Sequence, residues 1–184
     1  MLMRLETERL ILRTMSENDI EGVFEMRRDE DVMRFIREPV LSRKEAEDWI
    51  NLISCRWAKD RIGFCSLIEK QSGKFAGWCG LWQLKESGEI EVGYAVAKEF
   101  WGKGYASESA EEFLEYGFNK LNLEKIVAVA RPENTASRRV MEKIGMKYDG
   151  IGKYYDRELV HYSIERKEFL TQRREDAEAR SFKI

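Results

Sequence analysis

Apolar residues change period along this chain, and each change marks an element. Over residues 89–96 they alternate: Ile90, Val92, Tyr94 and Val96 fall on one side, Glu89, Glu91, Gly93 and Ala95 on the other. A period of two predicts a half-buried strand. Ala106, Ala110, Phe113, Leu114, Gly117 and Leu121 then recur at helical spacing, which predicts a helix with one apolar face. Between strand and helix lies a loop holding Gly102, Gly104 and Ala106.

The same two periods, with their punctuation, place the other elements. Residues 9–13 read as a short strand. Ser16 caps a helix carrying Ile20, Val23, Phe24 and Met26, with Glu17 and Asp19 in its first turn. Residues 29–38 predict a short helix that Pro39 ends. Ser42 and Glu45 have the spacing of a capping box. They open a helix to about Lys59 whose face is Ala46, Trp49, Ile50, Ile53 and Trp57. Residues 61–69 and 74–84 read as strands joined at Gln71-Ser72-Gly73, with Gly77 and Gly80 marking a bulge or a close backbone contact. Residues 125–131 form a buried strand broken at Pro132. A short helix with Ala136, Val140, Met141 and Ile144 ends at Gly145, which suits a left-handed cap. Residues 147–153 and 159–168 make a last pair of strands. The expected fold is α/β, a single domain with a mixed, largely antiparallel sheet and helices on both faces. That domain is expected over residues 1–170, with 171–184 as a charged C-terminal tail.

Composition narrows the class. A chain of 184 residues suits one domain with a sizeable core. The net charge is −2, with both signs mixed, so broad attraction to nucleic acid or a membrane surface is not expected. No apolar run reaches spanning length, and the opening Met1-Leu2-Met3-Arg4-Leu5-Glu6 lacks the apolar core of a signal peptide. Cys55, Cys65 and Cys79 lack paired zinc spacing and read as buried, reduced thiols of a cytoplasmic protein. A lone His161 excludes a histidine-rich metal site, and no metal is expected.

Small residues in the loop let a ligand approach the backbone, and free amides at a helix start favour an anion. The physical reading is a pyrophosphate cradle. The Walker spacing occurs nowhere in the chain, and the dinucleotide fingerprint needs a third glycine where Ser107 stands. Trp101-Gly102-Lys103-Gly104-Tyr105-Ala106 resembles instead the acyl-CoA loop of the GNAT N-acetyltransferase superfamily. There Gln or Arg usually holds the place of Trp101. In this form the string is similar to the RimJ/RimL-like branch, whose known members acetylate the N-termini of ribosomal proteins.

Asn134, Ser137, Met141, Gly145 and Met146 match the spacing of the superfamily's second motif. Many members carry tyrosine at the place of Met141, positioned to protonate the leaving thiolate. A thioether cannot donate a proton. The RimJ/RimL-like branch shares that absence and has serine at the place of Ser137, so the resemblance makes Ser137 the candidate acid. Its other readings are a helix cap or a cofactor contact.

The resemblance implies acetyl transfer from acetyl-CoA, the cosubstrate, to a primary amine by direct attack on the thioester. Glu91, on the strand entering the loop, is the candidate base, acting directly or through water. Its other reading is a surface carboxylate paired with a lysine or arginine. A backbone amide near Val96 would hold the oxyanion, and the pantetheine arm would pair with that strand end. Trp101, Gly102, Lys103, Gly104, Tyr105 and Ala106 would hold the cofactor, with Asn134 fixing its arm. Arg138, Arg139 or Lys143 would meet the 3′-phosphate. The implied acceptor is a protein N-terminal amine. Three rivals remain: a small-molecule amine acceptor (polyamine, aminoglycoside or amino acid), a non-catalytic acyl-CoA sensor, and a nucleotide-binding regulatory domain. Monomer and homodimer are both open.

Overall fold

The computed structural model describes residues 3–39 and 42–181; residues 182–184, the end of the expected tail, lie outside them. The chain divides into two compact units, residues 1–82 with 92–113 and residues 83–91 with 114–184.

The first unit holds strands β1 (Arg4–Glu6), β2 (Leu10–Thr14), β3 (Phe64–Glu69) and β4 (Phe75–Gln83), and most of β5 (Ile90–Val96), hydrogen-bonded in that order. The β1–β2, β2–β3 and β3–β4 pairs are antiparallel. Ala97 N donates to Ala76 O at 2.9 Å, which brings β5 back along β4. Helices α1 (Ile20–Arg28), α2 (Glu30–Met33) and α3 (Arg43–Asp60) belong to this unit, with the first half of α4 (Tyr105–Asn119). The capping box forms as expected: Ser42 Oγ accepts from Glu45 N at 3.3 Å, and Ser42 N donates to Glu45 Oε2 at 2.8 Å. Ala46, Ile50, Ile53 and Trp57 are buried along one face of α3, as their spacing requires. Cys55 is exposed, contrary to expectation, because it lies across the helix from that face.

The second unit begins with Ile90 and Glu91 of β5. It continues through β6 (Lys125–Ala130), α5 (Thr135–Lys143), β7 (Lys147–Tyr154), β8 (Arg157–Glu165) and α6 (Arg166–Ser181). Its strand order is β5-β6-β8-β7. β5 and β6 pair in parallel, Glu91 opposite Val127, and the other two pairs are antiparallel. The eight strands are therefore mixed and mostly antiparallel, as the sequence predicts.

Several boundaries differ from the periodicity. β1 carried no readable alternation. A 3-10 turn, Glu17–Asp19, precedes α1, and only Glu30–Met33 of the expected 29–38 helix is α-helical. Helix α4 ends at Asn119, which leaves Leu121 outside it, and Asn122 turns left-handed at φ 53°. Helix α6 runs through the expected boundary at residue 170, and Arg173 Nη2 donates to Glu115 Oε2 at 2.7 Å. The strand β5 is buried on both faces rather than half-buried: Val92 on one side, Glu91 and Ala95 on the other.

Gly77 and Gly80 do mark close backbone approach. Gly77 sits at φ +147° beside the register shift of the β3–β4 pair, and a Cβ there would collide with Ala95 O. A Cβ on Gly80 would collide with the Gly63 carbonyl. Neither neighbour is a flexible side chain, so the backbone itself must move. Gly80→Ala is expected to destabilise the protein by about 1–3 kcal/mol, the usual cost of overpacking. Urea unfolding measures this, and an unchanged midpoint would show that the strands part freely at that point.

Candidate active site

Glu91 is 7% exposed. The Tyr155 phenol donates to Glu91 Oε1. Burial pushes the Glu91 carboxyl up to about 7; the Tyr155 hydrogen bond opposes that rise, and the like charge of Glu86 adds to it. The surface ion pair weighed for Glu91 belongs instead to its neighbour. Glu89 takes Lys125 Nζ at 2.9 Å and lies 3.5 Å from His161 Nε2. Burial raises the Glu89 carboxyl, but Lys125 and Ser87 outweigh it and hold it below its ordinary range.

Tyr155 is a site residue that periodicity did not reveal. It stands in the two-residue turn between β7 and β8, where Tyr154 pairs with Arg157. Tyr155 and Asp156 have φ of 53° and 58°, the left-handed pair that a tight hairpin turn demands. That turn normally advertises itself by Asn-Gly, and Tyr-Asp gives no such signal. Glu86 secures the turn by accepting from Tyr155 N at 2.6 Å. Glu86, Glu91 and Tyr155 thus come together from the β4–β5 connection, β5 and the β7–β8 turn.

The 101–104 loop runs from the 3-10 turn Lys98–Phe100 into α4. Gly102 and Gly104 have φ of +75° and +81°. An added Cβ would meet nothing within 4 Å at Gly102, and only Arg9 Nη2, at 3.5 Å, at Gly104. Internal packing does not require these glycines. They leave the loop backbone open from outside, and this fits a phosphate-bearing cofactor. Trp101, 49% exposed, donates its indole N–H to Val96 O at 2.7 Å, tying the loop to the end of β5. The side chain of Tyr105 turns inward, its hydroxyl donating to Glu69 Oε1 at 2.5 Å, so only its backbone can face a cofactor. Ala106 is half-buried in the first turn of α4. Lys103 Nζ lies 4.7 Å from the Phe100 ring centroid and 3.5 Å from Glu69 Oε1.

Arg9 is a second residue without a sequence signal. Its Nη1 donates to Lys103 O at 2.8 Å, and its Nε to Glu108 Oε2 at 2.7 Å. Glu108 sits in the first turn of α4, where its charge would oppose an anion. Burial raises its carboxyl, but hydrogen bonds from Thr7 and Arg9 outweigh this and hold it low. The salt bridge cancels the carboxylate and leaves the α4 amides electropositive.

At the start of α5, Asn134 Oδ1 accepts from Ser137 N at 3.1 Å. Asn134 is thus the cap, a role weighed for Ser137. Met141 is fully buried, so that position fills core space in this chain. Gly145, at φ +84°, closes the helix with the left-handed cap expected there. Arg138 is turned to Tyr162 Oη at 3.3 Å and the Pro132 carbonyl at 3.5 Å.

Comparison with known proteins identifies the family. Residues 9–147 match the acetyltransferase (GNAT) domain family. An uncharacterized N-acetyltransferase, p20, of Bacillus licheniformis is 32% identical over 155 residues, covering 83% of this chain and 87% of that protein. The crystal structure of a GNAT-family acetyltransferase from Bacillus anthracis is 31% identical, with a TM-score of 0.77, covering 90% of this chain and all of that one (100%). A RimL ribosomal L7/L12 alpha-N-protein acetyltransferase in complex with coenzyme A shares the fold at a TM-score of 0.77 and 15% identity, covering 89% of this chain and 98% of that one.

The Glu91 carboxyl also sets a stability signature. Its ordinary value is 4.5 and its folded value about 7. Folding therefore favours the protonated form. That stabilisation is complete below about pH 4.5 and is lost as the pH rises through about 7. Relative to Glu91→Gln, the wild type should lose roughly 3 kcal/mol over that window. Urea unfolding of both proteins across pH measures it, and a constant difference would place the carboxylate in water.

Proposed function

We propose, since this chain belongs to the GNAT acetyltransferase family, that it acetylates protein N-terminal α-amines in the manner of the RimJ/RimL-like branch. Acetyl-CoA is the acetyl donor throughout this family. The observation that carries the acceptor reading is the buried carboxyl of Glu91, set near 7 and hydrogen-bonded by Tyr155. An α-amino group titrates at about 7.7–8.0 and a lysine side chain at about 10.4. A base near 7 is far better matched to the former.

In this reading Glu91 removes a proton from the α-ammonium group, directly or through water. The freed amine attacks the thioester carbonyl carbon, and the carbon–sulfur bond breaks. Ser137 supplies the proton that the leaving thiolate takes up and regains one from the attacking nitrogen as the amide forms. An amide near Val96 holds the oxyanion. The loop amides from Gly102 to Ala106 hold the pyrophosphate, while Asn134 positions the pantetheine arm. The acyltransferase domain covers residues 1–170, with 171–184 as its C-terminal extension, and the protein works in the cytoplasm. Among the described residues no helix is long and apolar enough to cross a membrane.

Glu91→Gln should leave acetyl-CoA affinity in place and cut turnover by roughly 10²–10⁴-fold. Calorimetry and thiol release read the two quantities. Unchanged turnover would make Glu91 a bystander, and no thiol release by the wild type with any amine would favour a sensor.

Wild-type kcat/KM should rise through about pH 7 as Glu91 ionises. Tyr155→Phe removes a hydrogen bond that favours the carboxylate, so the rise should move to higher pH. A profile that keeps its midpoint while only falling in height would leave Tyr155 no part in setting the base.

The acceptor is tested with a peptide that has a free small N-terminal residue, against its N-blocked, lysine-containing form. Mass spectrometry should find the acetyl group on the α-amine. Acetylation only of lysine, or only of a competing polyamine, would overturn the N-terminal assignment and leave the acetyltransferase intact.

A further inference from the structure

Arg27 occupies the last turn of α1 and is 6% exposed. Few guanidinium groups are buried so deeply without a carboxylate to pair with. Among the described residues no side-chain hydrogen bond or ion pair holds the guanidinium of Arg27, whose nitrogens keep some contact with solvent. Its guanidinium carbon lies 4.7 Å from the centroid of the Trp49 ring on α3. Stacking and the helix C-terminus each offset only part of what burying an ion costs.

Glu45 places a negative charge near Arg27, but its Oε2 accepts from the Ser42 amide at 2.8 Å and hydroxyl at 3.2 Å. Arg37 is exposed and acts on Arg27 as a second positive charge. Burial and Arg37 together lower the Arg27 guanidinium to about 10, so it stays charged at neutral pH. The other arginines of this region are engaged. Arg28 lies 3.3 Å from Glu25, Arg43 2.5 Å from Glu21, and Arg34 stacks on Phe35 at 5.1 Å.

We propose that Arg27, backed by the Trp49 ring and flanked by Arg37, is the binding site for a carboxylate group of a ligand. A guanidinium presents paired N–H donors that match a carboxylate's two oxygens, and a site shielded from water makes that match strong. The aromatic wall holds the guanidinium plane in place, and Arg37 adds long-range attraction at the entrance. The site fits a small organic acid or the carboxylate of an acceptor amine. Neutral isosteres fit poorly, because they leave the buried cation uncompensated.

Succinate and its uncharged counterpart succinamide serve as probes in calorimetry on the full chain. Succinate should bind the wild type, and succinamide should give no heat. Arg27→Met, a volume-conserving exchange, should lower succinate affinity by at least about 30-fold, the usual loss on removing one partner of a buried ion pair. Arg37→Gln, at an exposed position, should lower it by roughly 3–10-fold. No succinate binding by the wild type overturns the proposal, as does wild-type affinity in both variants. Should Arg27→Met fail to fold, undiminished affinity in Arg37→Gln overturns it alone. Succinate is then added to the peptide acetylation assay. Competition with the peptide identifies the site with the acceptor's own carboxylate, and binding without competition identifies it with a separate acid. The calorimetry does not depend on acetyl transfer, so absent acetylation would count against the proposed function and not against this site.

Discussion

A carboxylate taken out of water is the constraint on which the candidate site depends. Glu91 is buried on β5, and the cost of ionising it there raises its carboxyl by more than the Tyr155 hydrogen bond lowers it. Had the side chain stayed in solvent, it would be ionised at neutral pH and too weak a base to deprotonate an amine. Burial alone would push a carboxyl beyond useful range; the phenol limits the rise. Glu86 acts twice, adding negative charge near Glu91 and fixing the turn that carries Tyr155. The protonation of the Glu91 carboxyl is therefore set by three residues that lie far apart in sequence.

The loop before α4 follows another constraint, the need for an electropositive helix start. Glu108 in the first turn would cancel the field of the free amides, and Arg9 neutralises it while bracing the Lys103 carbonyl. Below the loop, Tyr105 is anchored to Glu69, and Ser72 also donates to that carboxylate at 2.5 Å. The scaffold is rigid where it meets the core and open where the glycines stand. Membership in the GNAT family supplies the reaction and the donor. It does not supply the acceptor, which the fold alone does not decide.

Much of the architecture could be read directly. Period-two and helical spacing found β2 to β8 and four of the five longer helices to within a few residues at most ends, whereas α6 was expected only as a charged tail. The capping box at Ser42, the left-handed cap at Gly145 and the close approach at Gly80 were equally plain, because each rests on local geometry that one residue type satisfies. The loop string and the Asn134 motif identified the family for the same reason. Even the departures were informative: Met141, expected to be unable to donate a proton, is wholly buried.

What the tertiary structure alone decided concerns charge and environment. Alternation along β5 put Glu91 on the polar side and left a surface carboxylate open as a reading, since periodicity reports one strand and not what covers it. Cys55 and Leu121 were misplaced because spacing does not say where a helix ends or which way a lone small residue faces. Tyr155 reaches Glu91, and Arg9 reaches Glu108, through folds of the backbone that no local pattern encodes. Periodicity is a property of neighbours in sequence, whereas desolvation and ion pairing depend on neighbours in space. The chain thus declares its family from its motifs, and the environment of Glu91 forms only when the β7–β8 turn brings Tyr155 to it.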